Sequence, residues 1–177
     1  IIMILKKLKL KKTLHIDASR LKSGGGIIHL IKILENIKYS IFDKIIVYTY
    51  KNSEFEKFKS QKIIIKTHSF INKNIIYQFF WQRYLLKKQI SSDHLLFTID
   101  STSFCKFKNN VVLNQDIIGF QEGSLRYFSL KNKFESYLKY LVAKYAIKNS
   151  AANIFTTKYA LDEVVKKIGL IKNAIII

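Results

Sequence analysis

Thr13–Leu34, TLHIDASRLKSGGGIIHLIKIL, is the stretch that decides the fold. Thr13-Leu14-His15-Ile16-Asp17-Ala18 carries a short strand signal that stops at Ser19. A polar loop follows and closes in Ser23-Gly24-Gly25-Gly26. From there Ile27, Leu30, Ile31 and Leu34 recur at helical spacing, so a helix begins at the glycines. Strand, glycine bend and helix in that order make the opening half of a β–α–β unit.

The rest of the chain repeats the alternation. Lys44–Tyr50 (KIIVYTY), Lys62–Lys66 (KIIIK), His94–Ile99 (HLLFTI) and Asn110–Leu113 (NVVL) read as buried strands, with a sixth at Asn153–Thr156 and a seventh at Asn173–Ile177. Helices are predicted at Ser53–Lys59, Asn74–Lys88, Lys131–Lys148 and Lys158–Lys167, the last closed by Gly169. On the long helix, Phe134, Tyr137, Leu138, Leu141, Val142 and Tyr145 mark an apolar face, while Lys139, Lys144 and Lys148 lie off it. Gly119–Ser129 reads as irregular loop. Strands that are apolar throughout and alternate with helices predict an α/β domain, a mostly parallel sheet covered on both faces.

At 177 residues the chain has room for one domain with a proper core. Its 49% apolar content excludes a disordered tail. Lys and Arg number 31 against 12 Asp and Glu, a net charge of +19, which favours anionic partners such as phosphates, nucleic acid or acidic lipid. Heavy use of Lys, Ile and Asn from an A/T-rich coding sequence produces the same balance. The lysines are spread along the chain and no RNA- or DNA-binding signature accompanies them, which argues against nucleic acid. The single Cys105 excludes a disulfide framework, and His15, His29, His68 and His94 lack metal-ligand spacing, so no metal is expected. No run reaches the ~18 apolar residues of a membrane span. Lysines follow the opening Ile1–Leu5 instead of preceding it, the reverse of a secretory signal. The expected location is cytoplasmic, with peripheral contact at the inner face of an anionic membrane.

In open parallel sheets, ligands bind beyond the carboxyl ends of the strands. The residues predicted there are Asp17 with Gly24, Gly25 and Gly26, then Asp100–Ser103, Asn114–Asp116, and Thr156 with Thr157. Glycines let backbone approach a ligand closely, and a helix that starts on them offers N–H groups to phosphate. A tight strand-to-helix turn would use the same residues. The bend is neither GxGxxG nor a P-loop, and no GxSxG occurs. Asn114, Gln115 and Asp116 can orient hydroxyls, and Asp116 can accept a proton; an ordinary Asn/Asp turn has the same composition. In Trp81-Gln82-Arg83, helical spacing of aromatics reads as core, with Arg83 facing an anion or solvent.

Four stretches in this order resemble the amino-terminal domain of GT-B glycosyltransferases of family 4 (group 1). They are the glycine bend Gly24–Gly26, the helix with FFWQRYLL, Val111–Phe120 (VVLNQDIIGF) and Asn153–Ala160 (NIFTTKYA). The family pattern is an FxWQR helix, a strand ending in QN followed by PF, and a later strand of the type viFlTqyA. The chain departs from it at Asp116, where the family has Asn, and at Gly119, where it has Pro. The resemblance covers about Leu14 to Ile177.

The resemblance implies a Rossmann-like three-layer domain with about seven strands, half of a GT-B fold. Residues 1–12 would form a basic amino-terminal segment and 13–177 the acceptor-side domain, with the carboxyl-terminal donor domain of the family absent from the 177 residues. The implied activity is retaining transfer of a sugar from a nucleotide-sugar to a glycan or lipid-linked acceptor hydroxyl, in cell-surface polysaccharide or lipid-linked glycan synthesis. It needs no cofactor besides the nucleotide-sugar co-substrate. By the same resemblance Gln115 and Asp116 are the catalytic candidates, and Gly24, Gly25, Gly26, Asn114, Thr156 and Thr157 the substrate-binding ones. The alternatives are a non-catalytic basic α/β module that binds anionic membrane or RNA, and a truncated fragment. As the acceptor-side half of a glycosyltransferase, the 177 residues alone are expected to have little or no transferase activity, because half of the donor pocket would be missing.

Overall fold

The computed structural model describes residues 13–22, 24–38, 41–101, 103–121, 123–124 and 126–177. The basic segment 1–12 and Ser23 lie outside the described residues. Seven strands form one sheet: β1 (Thr13–Asp17), β2 (Lys44–Tyr48), β3 (Ile63–Lys66), β4 (Leu95–Thr98), β5 (Asn110–Asn114), β6 (Ala152–Phe155) and β7 (Ala174–Ile176). Their order is β3-β2-β1-β4-β5-β6-β7, and every neighbouring pair is parallel. This is a Rossmann-like α/β domain, as the alternation of apolar runs and helical periods predicts.

The helices are α1 (Gly25–Asn36), α2 (Ile75–Phe80), α3 (Leu130–Asn149) and α4 (Lys158–Ile168). α2 runs on without a break into a π-helical segment, Trp81–Leu86. Three of these starts have side-chain caps: Asn74 accepts from Ile76 and Tyr77 N–H, Ser129 from Asn132 N–H, and Thr157 from Ala160 N–H. Each accounts for a backbone donor that the helix itself cannot satisfy. α1 starts on Gly24 with no side-chain cap and no acidic residue in its first turn.

Alternation along the strands sorts the core into layers. Leu14 and Ile16 of β1, with Ile45, Val47, Leu95 and Phe97, pack on one face against Ile27, Leu30 and Leu34 of α1. Ile46, Tyr48 and Leu96 face the other way, onto Trp81 and Leu86. A third cluster joins α3 and α4 to the sheet through Phe155, Ala143, Ile147, Ala160 and Val164. Arg83 donates to the Tyr145 hydroxyl at 3.0 Å and ties the π segment to α3.

α3 departs from expectation. Its buried residues are Ala143, Ala146 and Ile147, whereas Phe134, Tyr137, Leu138 and Leu141 are exposed. The strongest apolar stripe therefore points away from the sheet. Small side chains let the helix lie close to its neighbours: a Cβ on Gly119 would stand 3.0 Å from the Tyr140 Cβ. Among the described residues, no helix is long and apolar enough to cross a membrane.

Candidate functional site

The strand order reverses direction between β1 and β4, which opens a crevice at their carboxyl ends. β1 delivers Asp17 to that point, and the loop after β4 delivers Asp100, Ser101 and Ser103. Asp17 lies on the side of the sheet that faces the π segment, because its neighbours Leu14 and Ile16 face α1.

Asp17 is 6% exposed and surrounded by donors. Its Oδ1 accepts from the Ser19 N–H at 3.1 Å and the Ser19 hydroxyl at 2.6 Å. Its Oδ2 accepts from Gln82 Nε2 at 2.9 Å and the Ser103 hydroxyl at 3.1 Å. Gln82 also reaches the Ser19 oxygen at 3.1 Å, and its own carbonyl accepts from Phe104 N–H at 3.3 Å. Burial raises the Asp17 carboxyl above the ordinary aspartate value, and the bonds from Ser19, Ser103 and Gln82 oppose that rise. One carboxylate thus clamps the β1 loop, the π segment and the β4–β5 loop.

The π register explains how Gln82 gets there. In an α-helix successive residues point about 100° apart. Here Trp81 and Gln82 are both buried, Trp81 against Tyr48 and His68, Gln82 on Asp17. A wider turn accommodates both, and such turns recur at functional sites. Helical spacing of the aromatics predicts core here, which holds for Trp81; the buried Gln82 belongs to the crevice. Its signal was Gln78 and Gln82, four residues apart on one stripe of an otherwise aromatic helix.

The glycine bend follows the loop that leaves β1 and opens α1. Gly24 has φ +85°, and a Cβ built on Gly24 or Gly25 would meet nothing within 4 Å among the described residues. A Cβ on Gly26 would come within 2.7 Å of Leu21 Cδ2. Gly24 and Gly25 therefore border open space, and Gly26 packs against the end of the Leu21 side chain. His29, one turn into α1, meets Gln115 beyond β5: Nδ1 and Nε2 stand 3.0 Å apart. The bend and the Asn-Gln-Asp corner thus sit together at one end of the sheet.

The remaining predicted residues divide by role. Asp116 is exposed, accepts from Ile118 N–H at 3.0 Å, and lines a cavity of about 260 Å³ with Ser101, Phe120, Phe128, Lys139 and Tyr140. Asn114 is 1% exposed and donates to the Ile154 carbonyl at 3.2 Å, while its Oδ1 has no partner among the described residues. It ties β5 to β6 from inside the sheet. Thr157 caps α4 through its hydroxyl, and Thr156 is half-buried at the end of β6. The His29–Gln115 contact sets the glycine bend and Gln115 near one another, and Asp116 lines the neighbouring cavity; Asn114 and Thr157 bond to backbone.

Below the crevice, His15 is stacked between Tyr48 and His94, with hydrogen bonds of 3.0 Å to the Tyr48 hydroxyl and 2.9 Å to His94. Burial first, then the charges of His94, Lys66 and Lys44, lowers its pKa to about 4. Burial also pushes the Cys105 thiol up to about 12, which keeps it protonated and unreactive as a nucleophile. Among the described residues, no group of three His, Cys, Asp or Glu side chains is placed to hold a metal ion. No protein-family model, curated protein or solved structure matches the chain.

Proposed function

We propose that this domain is the acceptor side of a retaining GT-B glycosyltransferase that moves a sugar from a nucleotide-sugar to an acceptor hydroxyl. The observation that carries the reading is the 3.0 Å meeting of His29 and Gln115, which puts the open glycine bend beside the polar corner at the β1/β4 switch point. A sugar transfer needs two substrates held side by side and donors aimed at the departing diphosphate. The uncapped amino end of α1 offers N–H groups behind Gly24 and Gly25, where backbone can approach a phosphate. Gln115 offers an amide to sugar or acceptor hydroxyls. The cavity beside Asp116 has the make-up of a glycan subsite: aromatic faces from Phe120, Phe128 and Tyr140, hydroxyls from Ser101 and Ser136, and the Lys139 ammonium.

In the proposed step the acceptor oxygen bonds to the anomeric carbon as the bond to the diphosphate breaks. The acceptor proton passes to the departing phosphate oxygen or to Asp116, so atoms and charge balance. The donor's nucleotide would be held largely by a second domain across the cleft, so the 177 residues bind acceptor but do not turn over donor.

The test uses the full-length gene product with a panel of radiolabelled nucleotide-sugars and lipid-linked acceptors. Transfer from one donor, lost in Gln115→Ala while the circular dichroism spectrum is unchanged, supports the reading. Failure of every nucleotide-sugar both to bind and to react would overturn it.

A further inference from the structure

We infer that the outer face of α3 is a docking surface for an anionic lipid bilayer. Leu130, Phe134, Tyr137, Leu138 and Leu141 recur at i, i+4, i+7, i+8 and i+11, which places them on one stripe of the helix. All are exposed, from 41% at Leu141 to 85% at Leu130. The residues that hold α3 to the domain, Ala143, Ala146 and Ile147, lie on the opposite side. The helix therefore has two apolar faces, and the larger side chains are on the one the fold leaves bare. Single exposed apolar residues are ordinary; a continuous row of five on one helix is an interaction surface.

The row continues onto its neighbours. Tyr127, 95% exposed, and Phe128 lead into α3. The Arg83–Tyr145 bond brings the π segment alongside, where Phe80 and Tyr84 stack at 5.8 Å and are both exposed.

Charge selects the occupant. α3 carries five lysines and one glutamate. Lys131 borders the stripe on one side, Lys133 and Lys144 on the other, and Lys148 follows at its carboxyl end. Large apolar and aromatic side chains rimmed by lysines suit an interface of acyl chains and anionic headgroups, with the phenol rings at headgroup depth. A protein partner matched to an apolar stripe would not require this rim. α3 is 20 residues long, about 30 Å, and is tied to the sheet along its inner side, so it lies flat on the bilayer without crossing it. Docking of this kind needs no catalysis and stands or falls separately from sugar transfer.

The experiment is flotation of the purified chain with vesicles of phosphatidylcholine, with and without phosphatidylglycerol, at low and high salt. The chain should float with the anionic vesicles, weakly with the neutral ones, and less as salt rises. Phe134→Ser/Leu141→Ser should lower the bound fraction about tenfold, the cost of withdrawing two large apolar side chains. Lys131→Glu/Lys133→Glu should abolish the preference for phosphatidylglycerol. Phe134, Leu141 and Lys131 are exposed and Lys133 is half-buried at the edge of the stripe, so both variants should keep the wild-type melting temperature, which is measured alongside. Equal flotation of wild type and the stripe variant overturns the inference. So does a dimer in lipid-free solution that the stripe variant dissociates, because the occupant is then a second copy of the chain.

Discussion

Gln82 and Asp17, 65 residues apart in the chain, meet at 2.9 Å inside the domain. Their bond is the centre of a clamp that also takes in Ser19 and Ser103, and it is where three connections of the sheet are held at one height. Removing Gln82 leaves a buried carboxylate short of a donor. Gln82→Ala should cost about 2–3 kcal/mol, read as a lower urea midpoint with an unchanged slope. Asp17→Asn/Gln82→Ala should cost less than the single Gln82 change, since no buried charge is left under-served. Equal losses for the single and double variants would show that the charge plays no part.

The glycines at the bend separate stability from function. Gly25→Ala adds a methyl to open space in the first turn of α1 and should stabilise the domain by up to about 1 kcal/mol. Gly24→Ala should destabilise by about 1 kcal/mol because its φ is +85°. In the full-length gene product, Gly25→Ala should nevertheless weaken donor binding, since the added methyl stands where a diphosphate would approach. Thermal melts and nucleotide-sugar titrations on the same two variants decide the matter.

His15 makes stability depend on pH. Its folded pKa is about 4, below the ordinary 6.5, so between those values the unfolded chain takes up a proton that the folded one refuses. This contribution is fully present above about pH 6.5 and is lost as pH falls toward about 4. His15→Gln should flatten the pH profile of the urea midpoint in that window. Parallel profiles for both proteins would remove His15 as the cause.

Trp81 is the one tryptophan, fully buried, and its indole N–H has no hydrogen-bond partner among the described residues. Trp81→Phe keeps much of the apolar volume and discards the unmet donor, so it should cost about 1–2 kcal/mol, against about 3–5 for Trp81→Ala. Chemical denaturation followed by circular dichroism measures both.

The centre of the sheet was legible because its strands are short, doubly buried runs such as KIIVY or NVVLN, and β-branched residues between helical periods have few other ways to fold. The glycine bend and the polar corner were legible for the same reason: strand ends say where a parallel sheet presents its loops. The clamp was not. Gln82 stands between Trp81 and Arg83 in an aromatic run, and nothing local says that the helix widens there to turn it onto Asp17. The core face of α3 was also hidden. Hydropathy favours Phe134, Leu138 and Leu141, but close packing selected Ala143 and Ala146, whose small size carries almost no signal. Asn114 looked like a residue for ligands, whereas its amide spans two strands within the sheet.

The parallel sheet has a consequence for the growing chain on the ribosome. β1 pairs with β2 across one crossover, but its other edge waits for β4, with Leu14 opposite Leu95. Until that segment emerges, the nascent β3-β2-β1 half-sheet has a bare edge of unpaired amides and carbonyls at what will become its centre. A pause in translation between Lys66 and Leu95 would lengthen that exposure, making the interval a natural point for a chaperone to act.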